Sequence, residues 1–396
     1  MASLPPMASR IAFLLHAPSG GGAQRRTIDL AAALAGRGLA PRLLFVDPIG
    51  PLADAIPADL PVEGLGAPPG PRGLQCTAAI PALARRLRAD PPDVLVAAAN
   101  HVHLTALAAH ALAGRPCRLV MRASNHLAGG GRGRPARDWL RRRLARLYSR
   151  ADLVVAVSED IARQARMLAP SASVVTLPNP VVVDGFPARM AQPLKHPWLP
   201  PRQVPVVLGV GRLDRQKDFP TLLRAAARIG ARVIILGDGP LREYLEQLGR
   251  ALNIWVDLPG HVADPLPWMA QCSAYCLSSA WEGLPGALIE AMACGTPVVA
   301  TDCPGGAAEL LEGGRLAPLV PVGDDAAMAD ALAAVLRSPP AAEALKRKAA
   351  EHSVAASAQA WARVLLPLSP RGGAEGAQAA PSTGPDGDEI PRPRSG

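Results

Sequence analysis

The chain has 396 residues, of which 49% are apolar and 19% are charged. This length predicts two or three domains, and the apolar share excludes a wholly disordered chain. The net charge of +9 is uneven, because residues 1–190 hold 23 arginines against 12 acidic residues, while the remainder is slightly acidic. We therefore expect any anionic partner to meet the first half of the chain.

Several classes of protein are excluded by the pattern of polar residues and cysteines. Polar residues interrupt every segment of about 18 residues, so a membrane-spanning helix is not expected. No charged-then-apolar leader precedes a cleavage site, so we predict a cytoplasmic protein. The six cysteines are scattered and predict reduced, mostly buried thiols. Cys272 and Cys276 lack the second pair that a structural zinc site needs.

Short apolar runs alternate with helical patterns through the first half of the chain. Continuous apolar runs predict buried strands at residues 11–15, 43–46, 94–96, 118–121 and 153–157. Apolar residues at helical spacing predict helices at 23–36 and at about 103–113. Ser158 stands where its side chain can cap a further helix, with Asp160 in the first turn.

The same alternation restarts after a stretch that is rich in proline. It predicts strands at 206–210, 232–236, 274–277 and 297–301, and helices at 219–229, 241–252 and 285–293. Strands that are apolar on both faces and alternate with helices form parallel sheets covered on both sides. The predicted fold class is α/β, with two doubly wound domains facing a central cleft. Ligands are expected beyond the carboxyl ends of the strands.

Composition sets the predicted domain boundaries. They are a loose N-terminal tail at 1–9, a first domain at 10–186, a Pro-rich linker at 187–204 and a second domain at 205–352. A C-terminal helix at 353–367 follows, and we expect it to cross back to the first domain. Residues 368–396 cannot form a core and are predicted to be disordered.

Two acidic residues lie in an otherwise apolar stretch of the second half. Glu282 follows a predicted strand, and Glu290 lies eight residues later with apolar neighbours on both sides. Eight residues are just over two helical turns, so we expect both carboxylates on one line, pointing into one cavity. A carboxylate can accept two vicinal hydroxyls of a ribose or hexose. The free amides of the Gly283–Leu284 turn and of the helix start can hold a diphosphate.

A second candidate feature is the turn after the strand predicted at 206–210. Gly211 is followed by Arg212, and Lys217 comes five residues after Arg212. Arginine presents a fork of donors and lysine a compact point charge, so the pair suits a diphosphate. The chain has four lysines against 38 arginines, so composition does not explain Lys217.

These motifs resemble those of family 4 of the GT-B glycosyltransferases, a large retaining family. The run from Glu282 to Thr301, which ends in EAMACGTPVVAT, is similar to the most specific motif of that family. Further similar segments follow in the family's order: the glycine turn at 20–22 with Ala23, Gln24 and Arg25, VSE at 157–159, PNP at 178–180, GRLDRQKD at 211–218, GDGP at 237–240 and GHV at 260–262. The resemblance covers about residues 10–366.

The resemblance implies two Rossmann-like domains, the first on the acceptor side and the second binding a nucleotide sugar, without a metal or cofactor. The donor-binding residues that it implies are Gly21, Gly22, Gly211, Arg212, Lys217, His261, Val262, Glu282, Gly283, Leu284 and Glu290. Glu290 would bind the ribose hydroxyls, and Glu282 would lie near the donor sugar. Arg212 and Lys217 would hold the diphosphate and stabilise it as it leaves. Gly22 would let the first domain approach the phosphates, and His261 with Val262 would border the base.

The catalytic set predicted from this resemblance is Glu282, Arg212, Lys217, Arg122 and Asn125. Many members of the family carry a histidine after the strand that matches residues 119–121, whereas this chain has Arg122, Asn125 and then His126. We expect Arg122 and Asn125 to face the cleft, with His126 as the alternative. His101 and His103, which follow another strand, are further candidates for the acceptor side, and a structural role for each histidine stays open.

A basic segment lies near the end of the first domain. Residues 132–150 hold eight arginines and Trp139, with leucines at 140, 144 and 147 on one helical face. Such a segment suits an anionic bilayer, and we hypothesise that it docks the protein on the inner membrane leaflet beside a lipid-linked acceptor. The alternative is an ordinary amphipathic helix whose leucines face the core. No nucleic-acid partner is expected, because aromatic stacking platforms are missing.

The resemblance implies a retaining, metal-independent glycosyltransferase. It would move a sugar from a UDP- or GDP-type donor to a hydroxyl acceptor in cell-envelope glycan, lipopolysaccharide or glycolipid synthesis. Two alternatives stay open from the sequence: a nucleotide-sugar epimerase of similar architecture, and a descendant that binds sugars without catalysis.

Overall fold

The first domain is built on a parallel sheet flanked by helices. The computed structural model describes residues 9–19, 21–127, 142–143, 146–201 and 203–366. The strands are β1 (Arg10–Leu15), β2 (Ala40–Phe45), β3 (Val62–Gly64), β4 (Val94–Ala97), β5 (Arg118–Ala123), β6 (Leu153–Ala156) and β7 (Val174–Thr176). They pair in the order β3-β2-β1-β4-β5-β6-β7. The helices are α1 (Gly22–Ala35), α2 (Arg72–Ala89), α3 (His103–Leu112), α4 (Glu159–Leu168) and α5 (Phe186–Met190).

The second domain repeats this architecture on a smaller sheet. Its strands are β8 (Val206–Val210), β9 (Arg232–Leu236), β10 (Val256–Gly260), β11 (Ala274–Leu277), β12 (Val298–Thr301) and β13 (Leu319–Val320). They pair in the order β10-β9-β8-β11-β12-β13. The remaining helices are α6 (Phe219–Arg228), α7 (Arg242–Ala251), α8 (Leu266–Gln271), α9 (Gly286–Cys294), α10 (Ala307–Leu310), α11 (Asp325–Arg337), α12 (Ala342–Ala350) and α13 (Val354–Leu365).

Central strands are buried along their whole length because helices cover both faces of each sheet. Every residue of β4, β11 and β12 is buried. Along β1 the side chains alternate: Phe13 and Leu15 pack in the core that contains α1, whereas Leu14 packs in the core that contains α2 and α3. This two-sided burial explains why the strands were recognisable as continuous apolar runs.

The predicted α/β architecture of two doubly wound domains is confirmed. The predicted strands and helices are all present, with ends shifted by no more than three residues. The strands β3, β7, β10 and β13 were not predicted. They form the edges of the two sheets, where burial is incomplete and the run of apolar residues in the sequence is therefore short or interrupted. Helix α2 was also not predicted, and it contains Pro81.

The chain crosses between the domains twice, and the two crossings are joined to each other. The amides of Val181 and Val182 donate to the carbonyl of His352 at 2.8 and 3.0 Å. The second crossing leads into α13, which packs against α1 of the first domain. Trp361 of α13 is 1% exposed and belongs to the core formed by α1 and the first sheet.

No helix in the described ranges is long and apolar enough to cross a membrane. Several sequence expectations concern residues outside those ranges: the tail at 1–8, Gly20, most of the basic segment 132–150, and the C-terminal residues 368–396.

We predict that Trp361→Ala destabilises the protein by about 3–5 kcal/mol, because it leaves a large cavity where α13 meets the first domain. Urea unfolding followed by far-ultraviolet circular dichroism measures this. Trp255→Ala is the matched control, because Trp255 is 69% exposed, and we expect a loss of about 1 kcal/mol or less. Equal losses for the two variants would contradict the packing role of α13.

Candidate active site

The two domains meet at the carboxyl ends of their strands. On the first-domain side lie the start of α1 and the residues after β5. On the second-domain side lie the loops after β8 and β11, with helix α9. Ser124 of the first domain packs so closely on Gly283 that an ideal Cβ there would lie 2.2 Å from the Ser124 carbonyl oxygen. Glycine at 283 therefore allows a close approach of the two backbones.

An ion pair built on a buried carboxylate forms the centre of the second-domain side. Lys217 Nζ donates to Glu282 Oε1 at 2.6 Å, and Ser279 Oγ donates to the same oxygen at 2.7 Å. Glu282 is 6% exposed. Because a buried carboxylate is costly without a partner, Lys217 and Ser279 together account for its presence in this loop.

Glycines allow Lys217 to reach that position. Gly211 has φ of 154°, and an ideal Cβ on it would lie 2.6 Å from Lys217 Cε. A Cβ on Gly237 would lie 2.0 Å from the Gly211 carbonyl oxygen, so two loop backbones touch here. Arg212 lies beside them with a side chain that is 73% exposed, and its Nε donates to Asp214 Oδ2 at 2.8 Å. Arg212 and Lys217 thus present one exposed cation and one cation anchored on a buried carboxylate at the end of β8.

The second acidic residue pairs with the opposite domain. Glu290 in α9 accepts a hydrogen bond from Arg26 in α1, and the side chains are 14% and 11% exposed. Arg26 also donates to the Val181 carbonyl at 3.1 Å. Asp29, one turn further along α1, is 3.7 Å from Arg26, and burial raises the pKa of the Asp29 carboxyl.

The expected alignment of the two acids along one helix is wrong. Glu282 lies in the loop before α9, which begins at Gly286, so helical spacing does not relate it to Glu290. The two carboxylates are instead held by different cations, Lys217 in the same domain and Arg26 in the other. Both remain at the boundary between the domains, because each partner is anchored there.

The expectation that Arg122 faces the cleft is also wrong. Arg122 is 1% exposed, and its guanidinium donates to Thr27 Oγ1 at 2.9 Å and to Asn179 Oδ1 at 2.6 Å. Burial, with Arg26 nearby, lowers the pKa of Arg122 to about 10. Arg122 therefore ties α1 to the segment that leaves the first domain. Asn125, in contrast, is exposed, and its Oδ1 accepts from the His126 amide at 2.8 Å.

The other predicted donor-binding residues lie around the same boundary. Gly21 and Gly22 form the exposed start of α1, and an ideal Cβ on Gly22 meets no atom within 4 Å. His261 is exposed and Val262 is half-buried, directly after β10. Leu284 is 9% exposed and packs near Gly306. Within the described ranges no side chain caps the start of α9, so its first amides lack a side-chain partner.

A cavity of about 580 Å³ opens in the first domain beside the start of α1. Its lining combines polar residues, such as Asn100, His101 and Asn125, with apolar side chains of α2 and α3. Burial, with Arg72 and His16 nearby, lowers the pKa of His101 to about 4, so its imidazole is neutral at pH 7. Its Nε2 has no hydrogen-bond partner in the described part of the chain.

His103 has a structural role beneath this cavity. Its Nε2 lies 3.0 Å from the Arg122 carbonyl and therefore carries the proton, while Nδ1 accepts from the Tyr148 hydroxyl at 3.0 Å. Burial lowers the pKa of His103 to about 4.

Arg26 was missed by the sequence reasoning, although a signal for it exists. Arg26, Leu30 and Leu34 are spaced by four residues and so share one face of α1, which is buried. Arg189 and Asp264 were missed as well. They form a bidentate pair at 2.8 and 2.9 Å between α5 and the loop after β10, and their separation in sequence gave no indication of it.

Both halves of the chain match family models. Residues 21–180 match a model described as "Glycosyl transferase 4-like domain", and residues 204–338 match one described as "Glycosyl transferases group 1".

Curated relatives align with parts of the chain. N-acetylgalactosamine-N,N'-diacetylbacillosaminyl-diphospho-undecaprenol 4-alpha-N-acetylgalactosaminyltransferase of Campylobacter jejuni is 37% identical over 147 residues, which are 36% of this chain and 40% of that protein. Phosphatidyl-myo-inositol mannosyltransferase of Mycobacterium leprae is 35% identical over 195 residues, which are 46% of this chain and 50% of that protein. The chain thus spans half or less of the length of these relatives.

Solved structures share the fold over most of the chain. The Anabaena protein HepE in complex with UDP and glucose has a TM-score of 0.76 at 22% identity, covering 90% of this chain and 99% of that one. Sucrose-phosphate synthase from Thermosynechococcus elongatus has a TM-score of 0.73 at 22% identity, covering 90% and 98%. At 22% identity, the similarity to these structures shows that this chain shares their two-domain fold.

We predict that Gly283→Ala separates the domains, because the added Cβ would lie 2.2 Å from the Ser124 carbonyl. Small-angle X-ray scattering should show a larger radius of gyration than for the wild type. Gly286→Ala is the matched control, since the nearest atom to its Cβ is 3.8 Å away, and it should scatter like the wild type. An unchanged radius for Gly283→Ala would show that the contact does not hold the domains together.

Proposed function

Because the chain belongs to family 4 of the GT-B glycosyltransferases, we propose that it transfers a sugar from a nucleotide diphosphate sugar to a hydroxyl acceptor with retention at the anomeric carbon. We assign this transfer to the synthesis of a cell-envelope glycan, lipopolysaccharide or glycolipid. The observation that carries the proposal is the pairing of Lys217 with the buried carboxylate of Glu282, beside the exposed Arg212.

The diphosphate of the donor is assigned to the cations at the end of β8. Arg212 can turn its exposed guanidinium towards the phosphates, and Lys217 is already fixed by Glu282 at 2.6 Å. The amides of Gly283 and Leu284 and the uncapped start of α9 add donors that favour an anion. Gly22, where an ideal Cβ meets no atom within 4 Å, leaves room for the phosphates on the first-domain side.

The remainder of the donor is assigned to the acidic residues and to the loop after β10. Glu290 accepts the ribose hydroxyls, and Glu282 lies beside the donor sugar. His261 and Val262 border the base. A UDP-type donor is favoured over a GDP-type one, because the similar HepE structure is described in complex with UDP and glucose.

The proposed reaction takes place on one face of the sugar. The bond between the anomeric carbon and the diphosphate oxygen breaks, and the acceptor oxygen attacks from the same side. The acceptor proton passes to the departing phosphate oxygen. Arg212 and Lys217 stabilise the charge that develops on the diphosphate, so that two cations and helix-end amides do the work that a metal ion does elsewhere.

Transfer is favoured over the two alternatives. The relatives that match the chain carry glycosyltransferase names, which argues against an epimerase. A descendant that binds sugars without catalysis would have no need of a lysine anchored on a buried carboxylate, because burying such a pair is costly.

The acceptor is assigned to the cavity of the first domain. The cavity combines hydrogen-bonding residues with an apolar wall, which suits an acceptor that carries both hydroxyl groups and an apolar portion. A lipid-linked acceptor fits this lining, and the names of the similar Campylobacter and Mycobacterium proteins contain diphospho-undecaprenol and phosphatidyl-myo-inositol. Asn125, which lines the cavity, is retained as the first-domain candidate for contact with the acceptor.

We also propose that this side of the first domain docks on an anionic membrane surface at the inner face of the cell membrane. Arg142, Arg146 and Arg150 of the basic segment are exposed. Leu104 and Leu112 of the neighbouring helix α3 are 49% and 57% exposed. Arginines beside exposed leucines suit the boundary between lipid headgroups and acyl chains.

We predict that Lys217→Ala lowers kcat by about 100- to 1,000-fold, because the leaving diphosphate loses a fixed cation. Turnover of UDP sugars, followed by release of UDP, measures this, and a chelator should leave the wild-type rate unchanged. Lys346→Ala is the matched control, since Lys346 is an exposed lysine paired with Glu343 on α12. Wild-type turnover by Lys217→Ala would overturn the proposed role of the cation.

For the membrane proposal, we predict that the protein floats with anionic vesicles and not with neutral ones. Reversing Arg142, Arg146 and Arg150 to glutamate should abolish flotation, because each basic residue near the surface contributes about 1 kcal/mol. Reversing Arg250, Arg337 and Arg347, which are exposed in the second domain, is the control and should leave flotation unchanged. Equal binding to neutral and anionic vesicles would contradict the proposal.

A further inference from the structure

The ion pair between Arg26 and Glu290 connects the two domains at the site where we assign the donor. Arg26 lies in the second turn of α1, and Glu290 lies in α9, 264 residues later. Arg26 Nη2 donates to Glu290 Oε1. Because the partners belong to different domains, any movement that separates the domains breaks this pair.

Contacts within the first domain and its exit segment hold Arg26 in place independently of Glu290. Its Nη1 donates to the Val181 carbonyl at 3.1 Å, and Asp29 Oδ2 lies 3.7 Å from the same nitrogen. Arg26 is 9% exposed. A guanidinium that is already ordered loses little further side-chain entropy when it binds another carboxylate.

Glu290, in contrast, has Arg26 as its one hydrogen-bonding side chain in the described ranges. Its neighbours in α9 are buried and apolar: Leu288, Ile289, Ala291 and Met292. Arg26 engages Oε1, and no group in the described ranges donates a hydrogen bond to Oε2. A carboxylate has acceptor sites on both oxygens, so Oε2 remains available to a ligand while Arg26 fixes the plane of the group.

We propose that Arg26 is a positioning residue that holds Glu290 for the donor, so that donor binding and closure of the domains are linked. This inference rests on the proposed role of Glu290 at the donor ribose. Linkage is reciprocal: the factor by which closure strengthens donor binding equals the factor by which the donor favours closure. The first domain thereby contributes to donor affinity through Arg26, without a contact between Arg26 and the donor.

The first experiment measures the affinity for UDP by calorimetry. Arg26→Ala should weaken UDP binding by about tenfold, since one partner of a buried charge pair is removed. The KM for the donor sugar should rise more than kcat falls, and Arg26→Lys should restore part of the affinity. Arg37→Ala is the matched control. Arg37 follows the same helix and donates to the Ala355 carbonyl at 3.1 Å, and its loss should leave UDP binding unchanged.

A double-mutant cycle tests whether Arg26 acts through Glu290. In a Glu290→Gln background, Arg26→Ala should cost no further UDP affinity. A full and independent loss in that background would overturn the inference. So would wild-type UDP affinity in Arg26→Ala alone.

Small-angle scattering provides a readout that does not depend on activity. UDP should reduce the radius of gyration of the wild type and of Arg37→Ala, but not of Arg26→Ala. Compaction of Arg26→Ala by UDP to the wild-type extent would overturn the linkage.

The two proposals fail in distinguishable ways. If Glu290→Gln binds UDP like the wild type, the role of Glu290 at the donor is wrong, and the inference about Arg26 falls with it. If Glu290→Gln weakens UDP binding while Arg26→Ala does not, the donor site stands and the inference alone is overturned.

Discussion

A carboxylate buried at a domain boundary needs a cation, and this requirement shapes the cleft of the protein. Glu282 meets it inside the second domain, through Lys217 at 2.6 Å, whereas Glu290 meets it across the cleft, through Arg26. The first pair is independent of where the first domain lies, and the second is not. Separation of the domains would therefore break the ion pair of Glu290 and leave that of Glu282 intact, although the two acids stand eight residues apart in the sequence.

The cleft also depends on glycines that allow other groups to approach the backbone closely, as at Gly211 and Gly283. Gly211 lets the alkyl chain of Lys217 cross its own loop, and Gly283 lets the second domain touch Ser124 of the first. In both places an ideal Cβ would overlap a neighbour, at 2.6 and 2.2 Å. The proposed diphosphate site is thus bordered by backbone as well as by the side chains of Arg212 and Lys217, which leaves amide groups exposed to an anion.

The first domain supplies a different chemistry. Its cavity of about 580 Å³ joins hydrogen-bonding groups to an apolar wall. The half-buried His101 and the buried His103 at its edge are neutral at pH 7, because loss of solvation lowers the pKa of each to about 4. Two arginines of this domain, Arg26 and Arg122, bind the segment that leads towards the second domain, at Val181 and Asn179. The first domain, its exit segment and the second domain are therefore connected through a few charged side chains. These contacts are the basis for the proposed coupling between donor binding and the arrangement of the domains.

The sequence by itself determined the fold class, the positions of the central strands and the local motifs around Lys217 and Glu282, because these depend on apolar runs and on residues close together in the chain. It did not determine which cation each acid meets. Arg26 and Glu290 are 264 residues apart, and Arg122 points into the first domain instead of the cleft because Thr27 and Asn179 are brought to it by separate elements. The edge strands also escaped prediction, since their burial depends on a single neighbouring strand. Only the tertiary structure decided these contacts, because side-chain partners between distant segments follow from how the two sheets are packed and not from spacing along the chain.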